Sequence, residues 1–218
     1  SMAQQDVRYY LNGLMLEPAD GTLRAVATDG HRLAMCELAT DVGDSAEQQV
    51  IVPRKGVQEL QRLLDDSDDP VQVEIGSNHI RITTGELRFT SKLIDGRFPD
   101  YQRVIPKNAD KVLSVNRDLL RQALTRTSIL SNVSYRGIRL DISNNLLIIH
   151  APNPEQEEAV EELEVSYKDD SMLIGFNVTY LLDVLGVIDG TDVELRLSDA
   201  NSSALISKPG HDDCRYVV

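Results

Sequence analysis

The feature that most constrains this chain is an internal repeat. Residues 7–16 alternate apolar and polar side chains as a β-strand does, and after a turn a second strand covers residues 23–28. The same layout returns about 125 residues further on, where residues 138–142 alternate and residues 146–150 run back. The sequence therefore predicts two hairpins of one design.

Downstream of each hairpin, an apolar strand leads into a helix. Residues 50–52 precede the first of these helices, and residues 173–176 precede the second. Pro53 falls at the start of the first helix, where a missing N–H is tolerated, and Asn177 is a good N-cap at the matching place of the second. Since an alternating strand follows each helix, two copies of one α+β module are predicted to fill the chain.

The two copies differ at their ends. The second copy opens with a strand at residues 112–115 and a helix from Asn116 to about Ser131. The first copy has no room for either, so we expect it to lack its first strand and helix, and we expect the last strand of the second copy to be cut short. The turn-rich segment at residues 95–101 joins the copies. The predicted modules are residues 1–104 and 105–218.

Composition excludes several classes of protein. The chain has 218 residues, of which 41% are hydrophobic and 26% charged, so it is not a disordered polypeptide. A formal net charge of -13 disfavours a tight nucleic-acid binder that depends on charge alone. Cys36 and Cys214 are too few for a disulfide framework and are predicted to be packing residues in a reducing compartment. With no signal-peptide layout and no apolar run near the roughly 20 residues that span a bilayer, we expect a cytoplasmic protein without a membrane partner.

One stretch has an enzyme-like composition. Asp29 and His31 flank Gly30, which makes an acid–base pair one interpretation. A tight turn between strands is the favoured interpretation, because no serine elbow or cysteine nucleophile accompanies them. The histidines lack metal-ligand spacing and no phosphate-binding glycine loop occurs, so we predict neither a metal nor a cofactor. The acidic runs at residues 65–69 and 155–164 are typical of solvated segments.

The basic residues are grouped on predicted helices. Arg117 and Arg121 share a face of the helix that follows Asn116, and Arg54 and Lys55 begin the corresponding helix of the first copy. This spacing fits an ordinary charged helix face and a weak electrostatic footprint for a DNA backbone equally well. Both interpretations stay open on spacing alone.

Several ordered motifs resemble one family. They lie at residues 6–13 (DVRYYLNG), 27–34 (ATDGHRLA), 52–56 (VPRKG), 95–101 (DGRFPDY) and 153–159 (NPEQEEA). In this order they resemble the bacterial sliding clamps, the family of the beta subunit of DNA polymerase III. The resemblance implies an α+β chain of two tandem clamp modules, the second and third of the family's three, each with antiparallel sheets outside and helices on the inner face. It also implies a non-enzymatic processivity factor whose full-length ring encircles double-stranded DNA.

The resemblance further implies a peptide-binding cleft between the two modules. In the family, this apolar cleft receives short linear peptides from DNA polymerase subunits, the clamp loader and repair proteins. The positions that match its walls are Arg8, Tyr10, Leu11, Thr28, Gly30, His31, Arg32, Leu33, Pro99, Val104, Asn177, Tyr180, Ser203, Val217 and Val218. Apolar members of this set can anchor Leu or Phe side chains, and polar members can bond to a peptide backbone.

The remaining candidate residues are assigned to DNA and to a subunit interface. Positions near DNA in the family match Gln5, Tyr9, Arg54 and Lys55, and the basic helix face adds Arg117 and Arg121. Ile129 and Leu130 match the interface of the full-length homodimer.

A chain of only two modules is expected not to close a ring, and loss of a family tail beyond position 218 is expected to weaken peptide binding. A peptide-binding adaptor without DNA tethering, and an enzyme that uses Asp29 and His31, are the alternatives.

Overall fold

The chain forms two compact units, Ser1–Tyr101 and Gln102–Val218. The computed structural model describes residues 1–19, 21–41, 48–64, 69–131, 136–152 and 157–218. A short 3-10 helix at Tyr101–Arg103 contains the point where the units meet in sequence. The predicted module boundary after Val104 stays a prediction.

The first unit contains two antiparallel sheets and a single α-helix within its described residues. After a 3-10 helix at Tyr9–Leu11, its elements are β1 (Gly13–Ala19), β2 (Thr22–Thr28), β3 (Leu33–Ala39), β4 (Val50–Pro53), α1 (Arg54–Leu63), β5 (Gln72–Ile75), β6 (His79–Thr84) and β7 (Leu87–Lys92). Strands of the first sheet lie in the order β4-β1-β2-β3, and those of the second in the order β5-β6-β7.

The second unit has two antiparallel sheets and two α-helices within its described residues. Its elements are β8 (Lys111–Asn116), α2 (Arg117–Ser128), β9 (Gly137–Ser143), β10 (Leu146–Pro152), β11 (Glu158–Glu164), β12 (Met172–Asn177), α3 (Val178–Val187), β13 (Asp192–Leu197), β14 (Leu205–Ser207) and β15 (Cys214–Val217). One sheet has the strand order β11-β10-β9-β12 and the other β15-β14-β13-β8.

This topology confirms the internal repeat. The order β4-β1-β2-β3 in the first unit matches β12-β9-β10-β11 in the second, and each set is followed by a helix and three more antiparallel strands. Strand β8 and helix α2 have no counterpart in the described part of the first unit. The copies therefore differ at the place where the sequence predicts that they differ.

The predicted asparagine caps are confirmed. The Oδ1 atom of Asn116 accepts a hydrogen bond from the backbone N–H of Leu119 at 3.0 Å, and that of Asn177 accepts one from Thr179 at 2.9 Å. Each satisfies an amide that the first turn of the helix leaves without a partner. Helix α1 begins after Pro53, whose side chain makes no such bond.

Helix packing differs between the units. Helices α2 and α3 pack on each other and bury Leu120, Leu124, Leu181 and Leu185 in the core of the second unit. Helix α1 has no fully buried residue, and it has no helical partner in the described part of its unit. None of the described helices has the length and apolar character needed to cross a bilayer.

Two local predictions are wrong. The strand predicted from residue 7 begins only at Gly13, because the chain first turns through the 3-10 helix at Tyr9–Leu11. The side chain of Asn12 causes this turn, since it accepts from the backbone N–H of Asp6 and donates to the Asp6 carbonyl, both at 2.9 Å. Cys36 and Cys214 are both disulfide-bonded, so the expectation of unpaired packing residues is also wrong, and these cysteines do not indicate a reducing compartment.

Candidate functional site

The turn between β2 and β3 holds most of the cleft residues predicted for the first unit. The hydroxyl of Thr28 donates to the carbonyl of Arg32 at 2.6 Å and accepts from the backbone N–H of Gly30 at 3.1 Å. Gly30 has a φ of +88°, a conformation that glycine adopts without strain. The turn is therefore closed by its own side chain and requires glycine at its tip.

Asp29 is a turn-forming residue. Its Oδ1 atom accepts from the backbone N–H groups of His31 and Arg32 at 2.9 and 3.0 Å, and its Oδ2 atom accepts from Arg32 Nε at 3.2 Å. The His31 ring is exposed, and within the described structure no hydrogen bond joins it to the Asp29 carboxylate. This geometry favours the turn interpretation of the stretch over an acid–base pair.

A second acidic residue, Asp6, holds the predicted cleft residue Arg8. The Arg8 guanidinium donates to both Asp6 carboxylate oxygens, from Nε at 3.0 Å and from Nη2 at 2.8 Å. The backbone N–H of Arg8 adds a third bond at 2.7 Å. These bonds lower the pKa of Asp6 from 3.8 to about 2, and the bond from the Arg8 side chain is the largest cause. Sequence reasoning missed Asp6, although an Asp two residues before a turn amide is a known turn signal.

The Arg8 guanidinium lies against the turn of β2 and β3. Its Nη2 atom donates to the carbonyl of Asp29 at 3.3 Å. A Cβ atom at Gly30 would lie 2.9 Å from Nη1 and 3.0 Å from Nη2. The structure thus brings together at one turn Arg8, Thr28, Gly30 and Arg32, four of the residues that the family resemblance assigns to the cleft.

The apolar cleft residues of the first unit differ in exposure. Leu11 and Leu33 are only 2% and 3% exposed, so they are core residues that support the surface from beneath. Tyr10 is half-buried and meets Tyr9 edge to face, with 5.8 Å between the ring centroids. Pro99 is exposed. Of these four cleft residues, Pro99 is the apolar side chain that a ligand could reach directly.

The predicted cleft residues of the second unit lie after the 3-10 helix at Tyr101–Arg103, at the start of α3 and near the C-terminus. Val104 is 55% exposed, so its side chain is accessible to a ligand. Asn177 is occupied as the N-cap of α3, and Tyr180 lies half-buried one turn further along that helix.

The C-terminal residues of the second unit are held by strand pairing. Val218 and Ala204 exchange two backbone hydrogen bonds of 2.8 and 3.1 Å, which leaves Ser203 exposed beside them. Val217 is buried and pairs with Leu205. Formation of one cleft from both units stays a prediction.

The DNA-facing residues predicted for the first unit share one region. The backbone N–H of Arg54 donates to the carbonyl of Asn12 at 2.9 Å, and Arg54 Nη1 donates to the carbonyl of Met2 at 3.1 Å. These bonds fix the loop that carries Gln5 and Tyr9 against the start of α1. Lys55 is exposed at the same helix terminus and forms no ion pair with any residue that the structure describes.

The two predicted DNA-facing residues of α2 have different roles. Arg117 donates to Asp118 through Nε and Nη2 at 3.0 and 2.8 Å, and its Nη1 donates to the carbonyl of Ile188 at the end of α3 at 2.8 Å. Its charge is compensated and it joins the two helices. Arg121 is exposed and is without an ion pair to the described residues, so its charge faces solvent.

The predicted interface residues follow α2 directly. Ile129 is 78% exposed, the second largest exposure among the large apolar side chains that the structure describes, and Leu130 is half-buried. Nearby, Arg126 donates to both carboxylate oxygens of Glu161 at 2.6 and 2.8 Å, which lowers the pKa of Glu161. The exposure of Ile129 is compatible with a contact surface, and its assignment to a subunit interface stays a prediction.

The acidic segments are only partly described. Residues 65–68 and 153–156, including part of the motif at 153–159, lie outside the described residues. Residues 158–164 form strand β11, on which Glu158, Glu162 and Glu164 are exposed, and this confirms a solvated segment there. Within the described ranges, no group of three or more His, Cys, Asp or Glu is arranged to hold a metal ion.

We predict that Gly30→Ala and Gly21→Ala each destabilise the first unit by about 1–2 kcal/mol, because both glycines have positive φ. Only Gly30→Ala should also displace Arg8, since a Cβ at Gly21 meets nothing within 4 Å. Losing the Arg8 bond should raise the pKa of Asp6 from about 2 towards 3.8. Chemical denaturation measures the first effect, and NMR titration of the Asp6 carboxyl carbon measures the second.

Gly21→Ala is the matched control for backbone strain. Because the pKa of Asp6 is lowered in the folded state, its stabilising contribution is present above pH 3.8 and is lost as the pH falls towards 2. An Asp6 titration that is the same in both variants would contradict the contact between Arg8 and the turn.

Two family models match the chain from end to end. Residues 1–100 match the central domain of the DNA polymerase III beta subunit, and residues 102–218 match its C-terminal domain. The two matches divide the chain close to the border between the two structural units.

Individual relatives agree with these matches. The beta sliding clamp of Pseudomonas aeruginosa is 60% identical over 218 residues, which are the whole of this chain and 59% of that protein. The crystal structure of the DNA polymerase III subunit beta of P. aeruginosa superposes with a TM-score of 0.97 at 60% identity, over all of this chain and 60% of that one. A P. aeruginosa DnaN sliding clamp bound to griselimycin gives a TM-score of 0.96 at the same identity, over all of this chain and 59% of that one. The chain therefore spans about three fifths of the length of these relatives.

Proposed function

Because the chain belongs to the family of the DNA polymerase III beta subunit, we propose that it is a two-module part of a cytoplasmic sliding clamp, a non-enzymatic processivity factor. The observation that carries this proposal is the match of both family models over the whole chain, together with the repeated module topology. Its task is to dock replication and repair proteins and to keep them on double-stranded DNA.

The docking site of the proposal is the apolar cleft that the family resemblance assigns. Support comes from the ordered donors of the first unit, Arg8 and the turn at Gly30, and from the exposed apolar side chains of Pro99 and Val104. Ordered polar groups and exposed apolar anchors are the usual components of a peptide-binding site. A related clamp of P. aeruginosa has been solved with griselimycin bound. We propose that this chain uses the cleft for short linear peptides from DNA polymerase subunits, the clamp loader and repair proteins.

Val104→Lys should weaken peptide binding at least about tenfold. Val104→Lys places a charge where the proposal puts an apolar peptide anchor, and desolvating that charge costs several kcal/mol. We expect the affinity for a labelled peptide of the Gln-Leu-x-Leu-Phe type, measured by fluorescence polarisation, to fall by at least about tenfold. Val104 suits this test because it is 55% exposed, whereas a Lys at the buried position 33 would disturb folding as well.

Val187→Lys is the matched control for the peptide experiment. Val187 lies in the same unit, is 67% exposed and is not among the predicted cleft residues. It should leave peptide affinity unchanged. Equal affinities of the wild type and Val104→Lys would refute the assignment of the cleft.

The DNA part of the proposal relies on a few exposed cations. Lys55 on α1 and Arg121 on α2 are exposed and without ion pairs to described residues, whereas Arg117 is occupied by Asp118 and the end of α3. A ring that surrounds DNA holds it by topology, so a few weak phosphate contacts are sufficient. A net charge of -13 is compatible with this arrangement, because salt screens charges beyond about 10 Å.

Reversing these two cations should weaken association with duplex DNA. In anisotropy titrations at low salt, Lys55→Glu with Arg121→Glu should lower the affinity and reduce the slope of log K against log salt concentration by about two. Lys107→Glu with Lys168→Glu makes the same change of net charge at exposed lysines outside the helices. If both double variants behave alike, the alternative of a peptide-binding adaptor without DNA tethering is favoured.

We further propose that this two-module chain does not close a ring by itself. The chain spans 59% of the length of its P. aeruginosa relative, and Ile129, assigned to the homodimer interface of full-length clamps, is 78% exposed. Sedimentation velocity should therefore show no stable closed dimer at micromolar concentration. A dimer that persists on dilution and dissociates in Ile129→Asp would contradict the proposal and would locate the contact at this residue.

A further inference from the structure

Hydrogen bonds hold the Nε and Nη2 atoms of the Arg8 guanidinium, whereas its Nη1 atom is accessible to a ligand. Asp6 accepts from its Nε and Nη2 atoms at 3.0 and 2.8 Å, and the carbonyl of Asp29 accepts from Nη2 at 3.3 Å. The Nη1 atom forms no hydrogen bond within the described residues. A guanidinium has five N–H donors, two of them on Nη1, so these two remain available to a ligand.

Asp6 is itself fixed and is not a mobile counter-ion. The side chain of Asn12 bonds to both backbone groups of Asp6 at 2.9 Å, and the backbone N–H of Ala3 donates to the carbonyl of Leu11 at 3.0 Å. The Asp6 side chain is 22% exposed and the Arg8 side chain 46%. The carboxylate therefore lies at the base of the loop and the guanidinium points outwards from it.

Gly30 makes room for this arrangement. A Cβ atom at this position would lie 2.9 Å from Nη1 of Arg8, closer than non-bonded atoms approach. The glycine lets the guanidinium lie directly against the turn of β2 and β3. The open donors of Nη1 therefore lie beside Gly30, at the tip of the turn that also carries the predicted cleft residues Thr28 and His31.

The charge of Arg8 is compensated by the bidentate contact with Asp6. The guanidinium keeps its positive charge, but the Asp6–Arg8 pair as a whole has little net charge and attracts distant anions weakly, so the open donors suit a neutral carbonyl oxygen of a peptide backbone. An unpaired guanidinium would instead attract carboxylates over distances up to about 10 Å at moderate salt. Pairing with Asp6 thus favours neutral carbonyl oxygens over carboxylates as acceptors for Arg8.

We propose that Asp6 is a positioning residue of the peptide cleft: it orients Arg8 and balances its charge, so that Arg8 Nη1 donates to a neutral peptide carbonyl. As a result, the cleft does not prefer acidic peptides. This inference rests on the peptide docking proposed above. It adds the residue that sets the charge preference of the site, whose own side chain does not touch the peptide.

The test compares two labelled peptides of the same Gln-Leu-x-Leu-Phe core, one with neutral and one with aspartate flanking residues. The wild type should bind both with similar affinity at low and high salt. In Asp6→Asn, the neutral peptide should bind several-fold more weakly because Arg8 is no longer held. At low salt the preference should move about five- to tenfold towards the acidic peptide, and this shift should disappear at high salt.

Two controls separate a positioning role from a general effect. Glu74→Gln removes the partner of Arg81 from an exposed pair of 3.1 Å in the same unit and makes the same change of net charge, so it should leave the preference unchanged. In an Arg8→Gln background, Asp6→Asn should no longer alter the preference, because the effect passes through Arg8. Circular dichroism establishes that each variant is folded.

The outcomes distinguish this inference from the proposed function. A folded wild type that binds neither peptide overturns the peptide docking and the inference with it. A wild type that binds, with Asp6→Asn and Glu74→Gln showing the same preference, overturns the inference alone. A wild type that already prefers the acidic peptide at low salt also overturns it, and this measurement requires no variant.

Discussion

The close pairing of β1 with β4 is the constraint on which the candidate site depends. Gly13 lies opposite Pro53, and a Cβ at Gly13 would lie 2.5 Å from the carbonyl oxygen of Val52. Because only glycine permits this approach, β1 and β4 can pair up to the start of α1, where the N–H of Arg54 bonds to the carbonyl of Asn12. The loop of Asp6 and Arg8 is anchored there. Gly137, the counterpart of Gly13 on β9, meets nothing within 4 Å, so this tight contact is particular to the first unit.

The helices of the repeated module are buried to different extents in the two described units. In the second unit, α2 covers α3, and apolar side chains on both helices become buried. In the first unit, Val57 and Leu60 of α1 pack only partly against the small core of Val52, Ile80 and Ile82. Burying one such side chain completely is worth about 1.5–3 kcal/mol. Within the described residues, helix burial therefore contributes less to the core of the first unit than to that of the second.

Local signals in the sequence were sufficient to predict the module pattern but not the loop that forms the site. The hairpins and the caps at Asn116 and Asn177 follow from alternation and from side chains that act within a few residues. The 3-10 helix at Tyr9–Leu11 depends on Asn12 and on Arg54, which is distant in sequence, so periodicity predicted a strand there. The site residues came from family resemblance, which names groups that contact a ligand. Asp6 instead holds Arg8 in position, and this contact is seen only in the folded structure.

In this protein, the ion pairing of individual cations matters more for ligand binding than the net charge of the chain. Arg54 and Arg117 look equivalent to Lys55 and Arg121 in the sequence, yet the first two are used to join chain segments and the last two face solvent. At physiological ionic strength the field of a distant carboxylate is screened within about 8 Å. The acidic side chains of β11 therefore need not oppose cations that lie on other elements. The cations available to a phosphate or a peptide are those that no nearby carboxylate pairs with. Arg8 is paired, because a carboxylate oxygen of Asp6 lies 2.8 Å from its Nη2 atom.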